Sequence, residues 1–122
     1  MKWAGLLVAV LLAGCSASTD LDEGQVSARF QNESIVAENR SSVAIYYTVV
    51  NPMSTVLWAP CSTPDNCPRI PRSSGVTITA DRILGWNDSV ATLDFYYWAL
   101  VSDGRGGYKP DRLRKITLES SH

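Results

Sequence analysis

The sequence predicts an all-β domain, built as an antiparallel β-sandwich of six to seven strands. Val, Ile, Thr, Tyr and Trp are plentiful, whereas long stretches of helix-favouring Ala, Leu, Glu and Lys are absent. Several short segments alternate apolar with polar side chains, as half-buried strands do. Turn-forming residues separate these segments at intervals of about 8–15 residues. A small closed β-barrel is the alternative architecture, because the number of strands fits both.

The predicted strands follow one another along most of the chain. They cover residues 26–30, 43–50, 55–59, 76–80, 91–102 and 113–118. The segment 43–50 is apolar on both faces, which is typical of a central strand. Residues 81–86 interrupt the alternation and predict a single helical turn ended by Gly85. The glycine-rich segment 103–107 predicts a hairpin tip, and Leu113 falls out of phase, which predicts a bulge.

The N-terminal segment has the layout of a secretion signal. Lys2 precedes an unbroken apolar run over residues 6–12. This run is too short to cross the hydrocarbon core of a membrane, which takes about 20 residues. The motif Leu12-Ala13-Gly14-Cys15 resembles the lipobox of bacterial lipoproteins, in which the cysteine thiol carries the lipid. The resemblance implies cleavage after residue 14, lipidation of Cys15 and, if the host is Gram-negative, transport to the outer membrane.

The predicted mature chain divides into two parts. Residues 15–24 comprise the lipidated cysteine and a small, acidic, flexible tether, and residues 25–122 have the length of one domain. Without Lys2, ten basic residues stand against twelve acidic ones. This balance provides no overall attraction to nucleic acid. We therefore expect the membrane as a partner through the lipid anchor, and no nucleic acid.

Cys61 and Cys67 are predicted to form a disulfide that closes a short loop. Outside the cytoplasm a lone pair of cysteines at this spacing is normally oxidised. The alternatives are a redox pair or two metal ligands. The spacing is not Cys-x-x-Cys, and no second Cys or His pair is present to complete a zinc site.

The sequence offers little material for catalysis. The only histidine is His122 at the end of the chain, so neither a Ser-His-Asp nor a Cys-His arrangement is expected. Paired carboxylates remain as candidates, but each has a simpler interpretation as a turn residue or a solvated strand residue: Asp81, Asp88, Asp94 and Asp103. No alternating acidic run of the calcium-binding kind occurs. We expect no enzyme activity, no cofactor and no metal.

Aromatic side chains provide the first candidate binding surface. Tyr46, Tyr96 and Trp98 fall on the strand faces opposite Tyr47 and Tyr97. If they are exposed, such rings can stack on sugars or anchor a protein partner. The competing interpretation is that sheet edges or the proline-rich loop cover them.

A basic cluster near the C-terminus provides the second candidate. Its members are Arg105, Lys109, Arg112, Arg114 and Lys115, opposed by Asp103 and Asp111. Such a cluster suits an anionic glycan, a phosphate-bearing envelope polymer or an acidic protein. The competing interpretation is a solvated hairpin whose charges keep an edge strand from pairing with other chains.

Several segments resemble small bacterial lipoproteins with an immunoglobulin-like or fibronectin-type-III-like domain. These segments are 39–51, 70–78, Gly85-Trp86 and 95–98. The resemblance implies a sandwich fold but no functional residue, and the Cys…Trp…Cys arrangement of immunoglobulins is absent. Together with the lipobox, it implies a membrane-anchored envelope lipoprotein with a non-catalytic binding or structural role, whose partner is an envelope protein or a glycan. The alternative is an inhibitor of a protease or lysozyme that acts through the 60–72 loop.

Overall fold

The computed structural model describes residue 21 and residues 23–121. Within this part of the chain there are nine strands, two 3₁₀ turns (Glu23–Gln25 and Ala80–Arg82) and no α-helix. The strands are β1 (Val26–Gln31), β2 (Ser34–Asn39), β3 (Ile45–Val50), β4 (Arg69–Ile70), β5 (Ser74–Thr79), β6 (Thr92–Trp98), β7 (Leu100–Ser102), β8 (Tyr108–Pro110) and β9 (Arg114–Ser121). The prediction of an all-β domain is confirmed.

Seven of the strands form one curled sheet, in the order β4-β3-β6-β9-β1-β2-β5. The terminal strands β4 and β5 approach each other, so that the sheet nearly closes into a barrel. Neighbouring strands are antiparallel except β1 and β9, which pair in parallel at Phe30 with Ser120 and Gln31 with Ser121. This mixed sheet fits the barrel alternative, and the two-layer sandwich is not confirmed.

The hairpin of β1 and β2 reveals a strand that the sequence pattern did not predict. Asn32 and Glu33 form its turn, with φ values of 53° and 62°. Two successive positive φ values match the twist of the paired strands, but glycine usually supplies them. Since neither residue is glycine, the sequence carries no clear turn signal here, and β2 was missed.

The prediction of a strand over residues 55–59 is wrong. This segment has no backbone pairing and runs as a loop across the outer face of the sheet. Its contact with the barrel is made by the side chain of Trp58, which packs on Tyr96 and Trp98. The run of large apolar residues is therefore not a strand. Trp58 packs on the barrel, and its neighbours Val56 and Leu57 are exposed.

The predicted bulge at Leu113 is confirmed. Tyr97 pairs with Arg114, and Leu100 pairs with Pro110. Between these pairs lie two residues on one strand and three on the other, so one residue is extra. The bulge divides the predicted strand 91–102 into β6 and β7, and β7 pairs with β8 in a separate two-stranded sheet.

The barrel has two ends, which the strand register defines. At the proximal end, β1 begins with Val26 and β6 ends with Trp98. At the distal end, β1 ends with Gln31 and β3 ends with Val50. The main apolar core fills the interior between these ends, and it includes Leu21, which is 6% exposed. Leu21 belongs to the predicted flexible tether, so that the last part of the tether packs on the domain.

Candidate functional site

The aromatic face predicted as a binding surface is covered by the disulfide loop. Trp98 is 0% exposed, Tyr46 is buried, and Tyr96 is half-buried. Trp58 lies against Tyr96 at 4.7 Å between ring centroids and Trp98 at 6.3 Å. Cys67 is buried in the same cluster. Tyr46 and Trp98 are therefore inaccessible, because folding places the loop over rings that the strand pattern alone left open.

The segment that follows β3 is fixed to the barrel at three places. At its start, the side-chain amide of Asn51 donates to the carbonyl oxygen of Gly85 at 3.0 Å, and its Oδ1 accepts from the backbone N–H of Met53. Trp58 packs on the sheet in the middle. At the end, the carbonyl oxygen of Cys61 accepts a hydrogen bond from the indole N–H of Trp98, and Cys61 lies at disulfide distance from the buried Cys67, with their Cα atoms 5.8 Å apart. The loop is an ordered part of the domain.

Between these attachments the loop holds large apolar side chains in water. Met53 is 88% exposed, Leu57 is 95% exposed, and Val56 is also exposed. No charged residue occurs from Ser41 to Pro64. Single exposed apolar residues are ordinary, but three in one anchored loop form a candidate docking element, which we call the apolar loop (residues 53–57).

The sequence carried a signal for the apolar loop that the strand prediction overlooked. Val56, Leu57 and Trp58 are consecutive large apolar residues in a short segment between Pro52 and Pro60. In a strand with one face in the core, apolar and polar side chains alternate. A run of three apolar residues therefore requires either that both faces are covered or that some of the apolar side chains are exposed. Here only Trp58 faces the barrel.

The predicted basic cluster is divided by the structure. Arg105 and Arg112 are exposed, whereas the side chain of Arg114 is only 7% exposed. Two guanidinium nitrogens of Arg114 donate to the two carboxylate oxygens of Asp111, each at 3.2 Å. Arg114 therefore belongs to the framework of the hairpin base and not to an accessible surface.

Asp111 holds the base of the hairpin together. Its backbone N–H donates to the carbonyl oxygen of Ala99 at 2.9 Å, and its Oδ1 accepts from the backbone N–H of Ala99 at 3.0 Å. Burial raises the pKa of Asp111, but hydrogen bonds from Arg114, Ala99 and Arg112 outweigh this effect. The pKa of this carboxyl therefore lies below its usual value, and the side chain is ionised at neutral pH.

The tip of the hairpin is shaped by a second carboxylate. Asp103 Oδ1 accepts hydrogen bonds from the backbone N–H groups of Arg105 at 2.7 Å and Gly107 at 3.1 Å. Gly104 and Gly106 adopt φ values of 81° and 85°, which side chains other than glycine rarely tolerate. The predicted glycine-rich hairpin tip is confirmed, and Asp103 is a turn-forming residue.

Charge is distributed unevenly between the two ends. Among the side chains that the structure describes, the proximal half holds eight basic residues (Arg40, Arg69, Arg72, Arg105, Lys109, Arg112, Arg114, Lys115) and four acidic ones (Glu38, Asp65, Asp103, Asp111). The distal half holds two basic residues (Arg29, Arg82) and five acidic ones (Glu33, Asp81, Asp88, Asp94, Glu119). Among the described side chains, the basic residues are therefore concentrated at the proximal end.

The carboxylates considered for catalysis are dispersed. Asp94 is buried in the sheet and accepts a hydrogen bond from Thr117 Oγ1 at 3.1 Å, whereas Asp103 lies in the hairpin tip. Asp88 lines a cleft of about 390 Å³ at the distal end, together with Trp86 and Glu33. Over residues 21 and 23–121, no group of three or more His, Cys, Asp or Glu side chains is placed to hold a metal ion.

The lipobox-like motif, including Cys15, lies outside the described residues. In the part of the chain that is described, no helix has the length and apolar character needed to span a membrane. No protein family matches this chain, and neither a curated protein nor a solved structure is significantly similar to it.

Proposed function

We propose that this protein is a lipid-anchored component of the cell envelope that binds a partner protein without catalysing a reaction. The lipobox-like motif Leu12-Ala13-Gly14-Cys15 supports the anchor. The exposure of Leu57 in an anchored loop is the observation that carries the binding role. A loop whose backbone is already anchored loses less conformational entropy on binding, so more of the burial energy of its apolar side chains stabilises a complex.

A protein partner is favoured over a glycan. Sugar rings stack on exposed aromatic faces, but Tyr46 and Trp98 are buried beneath the disulfide loop. The apolar loop presents aliphatic side chains and a thioether instead, and these suit an apolar pocket on a protein.

The anchor is tested by measuring the mass of the mature protein isolated from its host envelope. We expect loss of residues 1–14 and addition of acyl groups, and no acylation of the Cys15→Ser variant. Two or more acyl chains are needed for stable attachment. An unmodified cysteine, or a chain that still carries residues 1–14, would contradict the proposal.

The binding role is tested by chemical crosslinking of the full chain in its native envelope. Leu57→Asp places a charge where an apolar pocket is expected, so the crosslinked product should disappear. Thr55→Asp is the matched control, because Thr55 is an exposed polar residue of the same loop. Equal crosslinking of both variants and the unaltered protein would rule out the apolar loop as the contact.

An inhibitor of a hydrolase is the second candidate. The 60–72 loop expected to insert into a target holds Cys67 and Ile70, which are buried against the barrel. The exposed part of the same anchored segment is the apolar loop, so we propose Leu57 as the inserting residue. Purified protein would then inhibit lysozyme or a chymotrypsin-type protease, and Leu57→Asp would abolish the inhibition while Thr55→Asp would not.

A further inference from the structure

We propose that the free edge of strand β5 binds an extended segment of a partner protein, which joins the sheet as a further strand. The segment that fits is uncharged where it pairs and ends in acidic residues beside Arg72. We call this site the β5 edge (residues 74–79). It is distinct from the apolar loop, so either site can fail its test without the other.

The strand register shows which backbone groups of β2 face β5. The N–H of Arg40 donates to the carbonyl oxygen of Gln25 at 2.8 Å, next to the first pair of the β1–β2 ladder. Hydrogen-bonded pairs alternate with non-bonded pairs along an antiparallel ladder, so every second residue of β2 bonds to β1 and those between bond to β5. The residues of β2 that bond to β5 are Ile35, Ala37 and Asn39.

Only half of the backbone groups of β5 face β2. The partners of those three residues in β5 are Ile78, Val76 and Ser74. The N–H and C=O groups of Gly75, Thr77 and Thr79 therefore point to the other side of the strand. All three residues are exposed, and among the strands that the structure describes none pairs with β5 on that side. An added strand can bond to these groups with its own backbone.

The other end of the sheet is protected against such pairing, whereas β5 is not. Strand β4 is two residues long and is flanked by Pro68 and Pro71. Short strands and prolines are among the features with which proteins protect a sheet edge. Strand β5 is six residues long and contains neither a proline nor a charged residue. Four of its residues are β-branched, so it is well suited to pair with another strand.

The charges beside β5 disfavour a second copy of this chain as the occupant. Two antiparallel copies that use every outward residue would pair Thr77 with Thr77. Arg72 of one copy would then lie beside Arg82 of the other at both corners of the pair. Each corner would also hold Asp81, so two arginines would face one carboxylate. Like charges at such positions destabilise paired strands, which favours a foreign strand.

An acidic end of the segment would meet arginines beside the start of β5. Arg69 and Arg72 are exposed, and neither has an ion pair among the described residues. Glu38 of β2 is paired with Arg40 at 3.7 Å, and Asp65 lies in the disulfide loop. Two exposed arginines at one end of an uncharged strand therefore favour an uncharged segment that ends in acidic residues.

The test is amide hydrogen exchange of the isotope-labelled full chain in detergent micelles, followed residue by residue by NMR. The probe is a synthetic peptide of alternating valine and threonine with two aspartates at one end. Every second peptide nitrogen is methylated, so the peptide has one pairing edge and does not assemble into sheets. In the free chain, the amides of Gly75, Thr77 and Thr79 should exchange faster than those that face β2. Saturation with the peptide should slow their exchange about tenfold or more.

Two substitutions at one position separate the backbone from the side chain. Thr77→Pro removes the central outward N–H, which β2 does not use, so it should weaken peptide binding about tenfold. Thr77→Ala is the matched control, because it retains that N–H and should bind normally. Exchange of the amides that face β2 shows whether Thr77→Pro remains folded.

The charge requirement is tested without a change in β5. A peptide with two lysines in place of the aspartates should bind severalfold more weakly to the unaltered chain. Arg72→Gln should reduce this difference, since Arg72 is an exposed residue outside the strand. Equal binding of the two peptides to the unaltered chain would contradict the acidic end.

The remaining outcomes are distinct. No slowing of exchange by the peptide, or equal binding by folded Thr77→Pro and Thr77→Ala, would overturn the proposal. Outward amides that are already protected in the free chain would show that another part of this chain, such as the acidic N-terminal segment, covers the edge. Protection that rises with protein concentration would make a second copy the occupant. Each of these results overturns the partner strand, whereas Leu57→Asp should leave peptide binding unchanged.

Discussion

The indole N–H of Trp98 donates a hydrogen bond to the carbonyl oxygen of Cys61 at 3.0 Å. The two residues are 37 positions apart, and this contact joins the outer wall of the barrel to the start of the disulfide loop. The loop in turn removes the indole from water. The barrel wall and the loop therefore pack as one unit. The aromatic residues of that wall contribute primarily to the stability of the fold and only secondarily to binding.

Trp98 should be sensitive to substitution through stability and not through binding alone. Trp98→Phe retains most of the apolar volume but loses the hydrogen bond, so we expect a loss of about 1–2 kcal/mol in the free energy of unfolding. Trp98→Ala should cost about 3–5 kcal/mol, because it also leaves a cavity. Urea unfolding measures both. A loss below about 0.5 kcal/mol for Trp98→Ala would contradict the buried position.

Removal of the disulfide should loosen the loop without unfolding the barrel. The bond closes a short loop, and in the chain-entropy model it contributes about 2 kcal/mol. We expect the double variant Cys61→Ser, Cys67→Ser to lose about that much and remain folded. Acrylamide quenching of tryptophan fluorescence should increase, because the loop covers Trp98 and packs beside Trp58. Unchanged quenching would show that the aromatic contacts hold the loop by themselves.

Asn39 should be among the most important polar residues of the fold. It is fully buried, and its side-chain amide donates to the carbonyl oxygens of Val43 at 2.8 Å and Ile70 at 3.0 Å. Its Oδ1 accepts from the backbone N–H and the hydroxyl group of Ser41. Asn39→Ala leaves these buried groups unpaired, so we expect a loss of about 2–3 kcal/mol in the free energy of unfolding.

The matched control for Asn39 is Asn66→Ala in the disulfide loop, where the asparagine is exposed. A substitution there should change stability by less than about 0.5 kcal/mol. Equal effects of the two variants in urea unfolding would contradict the role given to the buried amide.

Asp111 should make the free energy of unfolding depend on pH in the acidic range. The pKa of Asp111 is lowered in the folded state, so its stabilising contribution is present above the unfolded value of about 4. It is lost as the pH falls through the lower folded pKa. Urea unfolding between about pH 6 and pH 2 should show this decline in the unaltered protein and a flatter profile in Asp111→Asn.

At neutral pH, Asp111→Asn should cost about 2 kcal/mol, because Arg114 loses a charged hydrogen-bond partner while its side chain stays buried. Asp103→Asn is the control, since that carboxylate is exposed and accepts hydrogen bonds from backbone amides of the hairpin tip. An equal pH profile for both variants would exclude the pair of Asp111 and Arg114 as the cause.

Much of the strand pattern could be predicted because alternation reports burial directly. The segment 43–50 is apolar on both faces, and β3 indeed lies inside the sheet with its outer face covered. Leu113 broke the alternation, and the register contains a bulge there. Strand β2 could not be predicted from its turn, because Asn32 and Glu33 adopt a backbone shape that the sequence usually marks with glycine.

The candidate surfaces depended on contacts between distant parts of the chain. The strand pattern left open whether Tyr46 and Trp98 are exposed, and the structure bears out the interpretation that the proline-rich loop covers them. Arg114 was predicted as a surface cation, but it pairs with Asp111 three positions earlier. This contact is local, and it depends on the backbone geometry at the bulge between the two residues. Local pattern shows which side of a strand a residue occupies, but it does not show what packs on that side.

The sequence by itself determined the all-β class, the positions of most strands, the pairing of Cys61 with Cys67 and the bulge near Leu113, because each follows from residues close together in the chain. Only the tertiary structure decided the near-barrel closure, the burial of Trp98, the exposure of Leu57 and the concentration of basic residues at the proximal end. These properties depend on which segments, tens of residues apart in the sequence, pack on the same surface of the sheet. The alternation of apolar and polar residues within one segment carries no information about that packing.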